Sequence, residues 1–201
     1  MKRSLRRTSA TGSGRPLLTG ETPSQTGAVS RPRDAADYDI RPRSGVYPVR
    51  TPAAGRPGRV VVDAAVISKW FVSEPHSEAA RRIVDGSFEV VVPDLVFSDL
   101  GTILQHRVTS DEMSDAEALA VLQVVAKMPL QVHRTWPLGP IALELQRSLA
   151  CGVYDCIHIA LALRETAVFV TANRSLYDKL RSTALARHVR WIADIPVNTA
   201  S

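Results

Sequence analysis

The sequence has few of the features that mark secreted, membrane-spanning or disulfide-rich proteins. Only two of its 201 residues are cysteine, Cys151 and Cys156, and no histidine pair lies near them at zinc-binding spacing. We interpret both as small buried side chains. No segment approaches the ~18 consecutive apolar residues of a membrane span, and no apolar stretch follows the basic start, which excludes a secretory signal. We expect a cytoplasmic protein with no membrane partner.

The motifs of nucleotide cofactors and of serine hydrolases are also missing. Neither a G-x-x-x-x-G-K-[ST] loop nor a G-x-G-x-x-G loop occurs, which argues against a bound nucleotide. No serine lies in a G-x-S-x-G turn that would support a Ser/His/Asp triad. Any chemistry must therefore come from other side chains.

Positive charge is concentrated in the first part of the chain. Residues 1–58 contain 11 Lys and Arg against 4 Asp and Glu, together with 7 of the 13 prolines and 7 of the 11 glycines. Residues 59–201 contain 14 basic and 16 acidic residues, a net charge of −2. We predict a disordered basic leader over 1–58 and a folded domain over 59–201. The leader is an RNA-binding arm, a solvated tail, or sequence upstream of the true start.

From residue 59 onward, short β-branched segments alternate with segments of helical periodicity. Strands are predicted over 59–63, 88–92, 130–136, 168–171 and 189–193. Helices are predicted over 64–71, 76–85, 94–108, 119–125, 141–150, 153–165 and 175–181, with a capping box at Ser114 and Glu117. This alternation predicts an α/β fold with three layers, α/β/α, around a mostly parallel central sheet.

Three acids and an amide are predicted near the ends of the strands, where ligands of parallel sheets gather. Asp63 ends the first strand, and Asp99 is placed on the helix after the second strand, about two turns from Pro93. Asp155 begins a later helix, and Asn173 follows the fourth strand. Mg²⁺ and Mn²⁺ prefer such oxygen ligands. Each acid alone also has an ordinary structural explanation, because Asp is a common N-cap and strand-end residue, which is how we interpret Asp94.

Four short segments resemble those of PIN-domain nucleases, in particular the VapC-type toxins. They are Val61-Val62-Asp63-Ala64-Ala65-Val66 with Lys69-Trp70-Phe71 and Glu74; Val92-Pro93-Asp94-Leu95 with Ser98-Asp99-Leu100; Val153-Tyr154-Asp155-Cys156 with Ile159-Ala160-Leu161-Ala162; and Phe169-Val170-Thr171-Ala172-Asn173-Arg174-Ser175-Leu176. The resemblance spans roughly residues 60–195 and leaves out the leader.

The resemblance implies a PIN-like fold and a metal-dependent endoribonuclease, the toxin of a toxin–antitoxin pair. Asp63 and Asp155 would be the principal ligands of Mg²⁺ or Mn²⁺, with Asp99 where the family usually has Glu and Asn173 where it most often has Asp. Ala65 replaces a Ser or Thr that helps to orient the first Asp. The implied partners are an RNA substrate, a small VapB-like antitoxin and a second copy in a homodimer.

These departures leave a second hypothesis open, a catalytically weak or inert PIN domain that binds RNA or protein. Three other polar residues have structural explanations beside functional ones. His158 is interpreted as a packing residue, His106 as a group at a helix end or an RNA contact, and Arg174 as part of a solvated face or a phosphate contact.

Overall fold

The computed structural model describes residues 58–196, which are organised around a parallel five-stranded sheet. The strands are β1 (Gly58–Val62), β2 (Phe88–Pro93), β3 (Gln131–His133), β4 (Val168–Thr171) and β5 (Val189–Trp191), in the order β3-β2-β1-β4-β5. Every neighbouring pair is parallel. The predicted fold class is confirmed, whereas the predicted leader lies outside the described residues except for Gly58, which begins β1.

Seven α-helices connect or follow the strands within the described residues. They are α1 (Ala64–Ser68), α2 (Ser77–Arg81), α3 (Val96–Thr109), α4 (Asp115–Val125), α5 (Gly139–Leu149), α6 (Val153–Glu165) and α7 (Arg174–Arg181). The capping box predicted at Ser114 and Glu117 is present at the start of α4. None of the helices in this part of the chain is long and apolar enough to cross a membrane.

The helices cover both faces of the sheet because side chains alternate along each strand. Val60 and Val62 of β1 pack with one buried cluster that includes residues of α1 to α4. Val61, between them, packs with a second cluster that includes residues of α5, α6 and α7. Two apolar cores separated by one sheet make the three-layer arrangement that the sequence predicts.

Several helices and strands are shorter than predicted, and backbone hydrogen bonds explain two of these differences. The helix predicted over 64–71 ends at Ser68, because Trp70 and Phe71 bond carbonyls three residues back instead of four. The strand predicted over 130–136 keeps only the three residues that pair with β2, and Trp136 begins a short 3₁₀ helix.

Asp94 directly follows the end of β2, as predicted, but it is not an N-cap. Leu95 takes the cap position of α3 without a side-chain hydrogen bond. The Asp94 carboxylate instead accepts bonds from the backbone N–H, at 2.9 Å, and the hydroxyl of Thr135. The parallel pairing of β2 with β3 brings Thr135 within reach, so Asp94 ties together the ends of these two strands.

Arg59 holds together the opposite edge of the sheet, where the strands begin. Its guanidinium donates to Glu89 of β2 at 3.0 Å, to Glu165 of α6 at 3.1 Å and to Gln131 of β3 at 2.7 Å. The side chain is about one-third exposed, so these bonds are only partly screened by water. One residue thus connects three strands and the helix that carries Asp155.

Candidate functional site

The candidate site lies at the carboxyl edge of the sheet, where α1 and α7 begin beside the ends of β1 and β4. Asp63 is the single residue between β1 and α1, and Asn173 is the last residue before α7. Because β1 and β4 are adjacent and parallel, both side chains emerge at the same edge. Asp155 reaches this edge from the first turn of α6.

Asp63 is fixed by the start of α1. As the N-cap, its Oδ1 accepts the N–H of Val66 at 2.8 Å, and the hydroxyl of Thr171 lies 3.5 Å from its Oδ2. Burial raises the pKa of Asp63 from 3.8 to about 6, although these donors and Lys69 oppose the rise. Asp63 is therefore a well-oriented carboxylate whose charge has little compensation.

Asp155 adds a second carboxylate to the same region. Its pKa is raised first by burial and next by the negative charge of Asp63, while His158 and Lys179 oppose the rise. The contribution from Asp63 indicates that Asp155 lies close enough to feel the charge of that acid. A Cβ at Gly152 would make only an ordinary contact, at 3.5 Å, with Oδ2 of Asp155, so the carboxylate does not require glycine there.

Asp99 lies on the helix after β2, as predicted, and in its first turn, because α3 begins at Val96 instead of Asp94. Burial raises its pKa, and His158 is the group that opposes this rise. His158 interacts with Asp155 as well, so its imidazole lies within electrostatic range of both acids. Its Nδ1 bonds the carbonyl of Tyr154 at 2.8 Å, and its ring stacks on Phe169. The packing role predicted for His158 is present, together with electrostatic contact with both acids.

The side chain of Asn173 has a structural role at the start of α7. Its Oδ1 accepts the N–H of Leu176 at 3.1 Å and so caps α7. Its own N–H donates to the hydroxyl oxygen of Thr171 at 3.0 Å. Asn173 is therefore linked to Asp63 through one buried hydroxyl.

Thr171 is the site residue that the sequence analysis missed. Its side chain is fully buried, and its hydroxyl contacts both Asp63 and Asn173. The signal was a hydroxyl residue at the last position of a buried strand, two residues before Asn173. Ala65 has no hydroxyl with which to orient Asp63, and Thr171 supplies one from the neighbouring strand.

The Lys69–Glu74 segment braces α1 against α3. Glu74 accepts from Lys69 at 2.9 Å and from Arg107 at 2.7 Å, and Arg107 also bonds Glu112. Arg107 is thus committed to carboxylates, and neighbouring His106 is exposed near the end of α3.

A cationic and aromatic surface lies beside Asn173. The Arg174 guanidinium lies 5.6 Å from the ring centre of Tyr177 and 5.5 Å from that of Trp191, and His76 meets Trp191 edge-on at 5.2 Å. Arg174 is 58% exposed and paired with Asp178. We call Arg174, Tyr177, Trp191 and His76 the aromatic patch.

The acids form a pair rather than a closed cage. Within residues 58–196, no three His, Cys, Asp or Glu side chains are grouped closely enough to hold a metal ion by themselves. Asp63 and Asp155 nevertheless fit an oxygen-preferring ion, because Mg²⁺ is often bound by one or two carboxylates and several waters. A cation would also relieve the repulsion that raises the pKa of Asp155.

The family model described as PIN domain matches residues 60–180, which is more than half of the chain. The chain belongs to the PIN domain family. The family predicted from the four sequence segments is confirmed, and the matched range includes the last three residues of β1, all of β4 and all four predicted site residues.

Relatives of this PIN domain carry VapC names. Ribonuclease VapC3 of Pyrobaculum aerophilum is 28% identical over 123 residues, which cover 60% of this chain and 94% of that protein. VapC20 of Mycobacterium tuberculosis, described as a toxin that cleaves the sarcin-ricin loop, has a TM-score of 0.45 at 15% identity, covering 54% of this chain and 84% of that one. VapBC2 of Rickettsia felis, bound to a promoter DNA fragment, has a TM-score of 0.45 at 14% identity, covering 66% and 98%.

Proposed function

We propose that this PIN domain is a metal-dependent endoribonuclease, the toxin of a toxin–antitoxin pair. The observation that carries the proposal is the pairing of Asp63 with Asp155 at the carboxyl edge of β1, where each carboxylate is partly buried and poorly neutralised. Family membership and the relative named ribonuclease VapC3 support the same activity.

In this proposal Asp63 and Asp155 hold Mg²⁺ or Mn²⁺, with Asp99 reaching the ion through water. Such an ion activates a water molecule for attack on a phosphodiester and neutralises the charge that develops on the phosphate. Residues of the chain itself would orient the acids. The Val66 N–H and the Thr171 hydroxyl orient Asp63, and Lys179 donates to the carbonyl of Ala150 at 2.9 Å, just before the segment that leads to Asp155.

The RNA would approach the acidic pair over the aromatic patch. A net-negative domain needs local positive charge to admit a polyanion, and exposed Arg174 directly follows Asn173. Partly exposed Trp191 and Tyr177 beside a guanidinium are suited to unstacked bases.

Reversing the charge at Arg174 should weaken RNA binding more than it slows the chemical step. For Arg174→Glu we expect KM for a single-stranded RNA to rise about tenfold, with kcat within about twofold. The matched control is Arg147→Glu on α5, an exposed arginine away from the aromatic patch. Steady-state kinetics at fixed salt provide the measurement. An unchanged KM, or an equal rise in both variants, would place the RNA elsewhere.

Asn173→Asp should tighten binding of the ion. The substitution adds a negative charge beside Asp63 and keeps an N-cap for α7, so we expect about a tenfold lower Kd for Mn²⁺ by calorimetry. Asn173→Ser is the matched control because it also caps a helix but adds no charge. An unchanged Kd in Asn173→Asp would place this position outside the ion's surroundings.

The partners follow the same proposal. A small VapB-like antitoxin would cover the acidic pair of Asp63 and Asp155 and hold the toxin inactive. A homodimer remains part of the proposal.

Activity of the full chain tests the function. Labelled RNA should be cut with Mg²⁺ or Mn²⁺ and remain intact with excess chelator. Cleavage that survives chelation would overturn metal dependence. RNA that is bound but never cut, with either ion, would instead support the alternative of an inert binding module, which the amide at Asn173 and the short carboxylate of Asp99 favour.

A further inference from the structure

The two cysteines form a close thiol pair at the start of α6. Their Sγ atoms are 2.6 Å apart, and both are free thiols. The sequence interpretation of two buried side chains holds for Cys156 but is wrong for Cys151, which is partly exposed because it lies in the connection before α6. One accessible thiol therefore contacts one that is enclosed in the core.

This thiol pair spans the segment that presents Asp155. Cys151 follows Ala150, which ends α5 in the left-handed conformation with φ 48°, and Cys156 lies in the first turn of α6. Gly152 is the N-cap of α6 and offers no side chain to the free N–H groups of its first turn. Apart from the contact between the two thiols, the bond from Lys179 to Ala150 is the side-chain hydrogen bond that the described structure gives to the three residues before α6. Few side-chain hydrogen bonds therefore hold the start of the helix that carries Asp155.

We propose that Cys151 and Cys156 are a redox modification site, which closes to a reversible intrachain disulfide when the chain meets a peroxide. The bond would tie the connection before α6 to the first turn of that helix. It would therefore fix the backbone on both sides of Asp155. Because this inference concerns thiol chemistry and local stability, it does not depend on RNA cleavage.

The chemistry balances with hydrogen peroxide as the oxidant. The exposed Sγ of Cys151 attacks one peroxide oxygen, the O–O bond breaks, and the products are a sulfenic acid and one water. Sγ of Cys156 then attacks the Cys151 sulfur, the S–O bond breaks, and the leaving hydroxide takes the Cys156 proton as a second water. Two thiols lose two electrons and the peroxide gains them. A thiol reductant reverses the bond by exchange.

Closing a loop of this size constrains the unfolded chain and should raise the melting temperature. For a short loop in a domain of this length we expect an increase of about 5 °C. Hydrogen exchange at the first-turn amides of α6 should slow at the same time, because the helix start opens less often.

The full chain should be treated with hydrogen peroxide and analysed by intact mass, peptide mapping and thermal melting. We expect loss of two hydrogens, a cross-linked peptide joining Cys151 to Cys156, the higher melting temperature, and full reversal by dithiothreitol. Cys151→Ser is the matched control, because a partly exposed site tolerates serine and leaves Cys156 without a partner. It should show neither the cross-link nor the shift in melting temperature.

Three results would overturn the proposal. One is a product in which Cys151 becomes sulfinic acid while Cys156 stays reduced. Another is a disulfide between two chains in place of the internal one. The third is an internal disulfide that leaves both the melting temperature and the α6 exchange rates unchanged, since the bond would then support nothing. Each readout is independent of nuclease activity, so failure here and failure of the proposed function are distinguishable.

Discussion

Asp63→Asn is expected to abolish RNA cleavage and, in the same variant, to make the folded chain more stable at neutral pH. The amide removes one of the two charges proposed to hold the ion. It also removes a carboxylate whose pKa burial has raised to about 6. Asparagine still caps α1, because its side-chain oxygen accepts the Val66 N–H as the aspartate does. The fold should therefore lose nothing that the cap provides.

The stability gain should depend on pH with a definite sign. An acid whose pKa is higher in the folded chain binds more protons there between pH 3.8 and about 6. Folding stability of the wild type is therefore reduced progressively as pH rises through this window, and the full penalty is present above it. The shift corresponds to about 3 kcal/mol at pH 7, which Asp63→Asn should recover. Below about pH 3, where Asp63 is protonated in both the folded and the unfolded chain, the two proteins should be equally stable.

Urea unfolding at several pH values, in chelator, measures this difference directly. Chelator is essential because a bound ion would favour the charged form of Asp63 and hide the effect. Added Mg²⁺ should then stabilise the wild type and not the variant. A variant less stable than the wild type at pH 7 would show that the Asp63 charge is well compensated in the fold.

The second large effect concerns the other acids, which should not contribute equally. Asp155→Asn should lower kcat about 1,000-fold, because Asp155 is the acid in electrostatic contact with Asp63. Asp99→Asn should lower it only about tenfold, because Asp99 interacts with His158 and would reach an ion through water. Asp99→Glu should have a kcat equal to or higher than that of the wild type, because one more methylene brings the carboxylate nearer to the proposed ion.

Single-turnover cleavage at saturating Mn²⁺ separates these variants. Glu144→Gln is the matched control, because it removes an exposed carboxylate on α5 without touching the site. An equal fall in kcat for Asp99→Asn and Asp155→Asn would contradict the expected order of the two acids and would indicate that Asp99 is a direct ligand of the ion. Loss of activity in Asp99→Glu would show that the space beside His158 is already filled.

The sequence predicted the fold because its strongest signals are regular. The β-branched segments and apolar helical periods locate all five strands and seven helices of residues 58–196, and β4 and α6 have the predicted bounds. The predicted bounds are wrong at the ends of some elements, such as the end of α1 at Ser68. There the backbone carbonyls accept hydrogen bonds from N–H groups three residues later instead of four. The prediction is also wrong at Asp94, whose partner Thr135 is 41 positions distant and is brought near only by strand pairing. Local patterns contain no information on such a contact.

The candidate site was predicted less completely than the fold. The sequence identified Asp63, Asp155 and Asn173 by their predicted positions after strands and at helix starts. The structure has all three residues at or within the first turn of a helix. Thr171 could not be distinguished from any other buried β-branched residue, because its role depends on the register between β1 and β4. The pKa of Asp63 likewise depends on how deeply the whole fold encloses it.

The Arg59 hydrogen bonds have a practical meaning for any shortened version of this protein. A fragment beginning at Val60 would keep every residue of the proposed site but would leave Glu89 and Glu165 without their shared cation. The damage would arise at the far end of β1, yet α6 extends from Glu165 back to Asp155. The smallest useful fragment is therefore defined by an arginine remote from the chemistry, and a truncation series should place its boundary before residue 59.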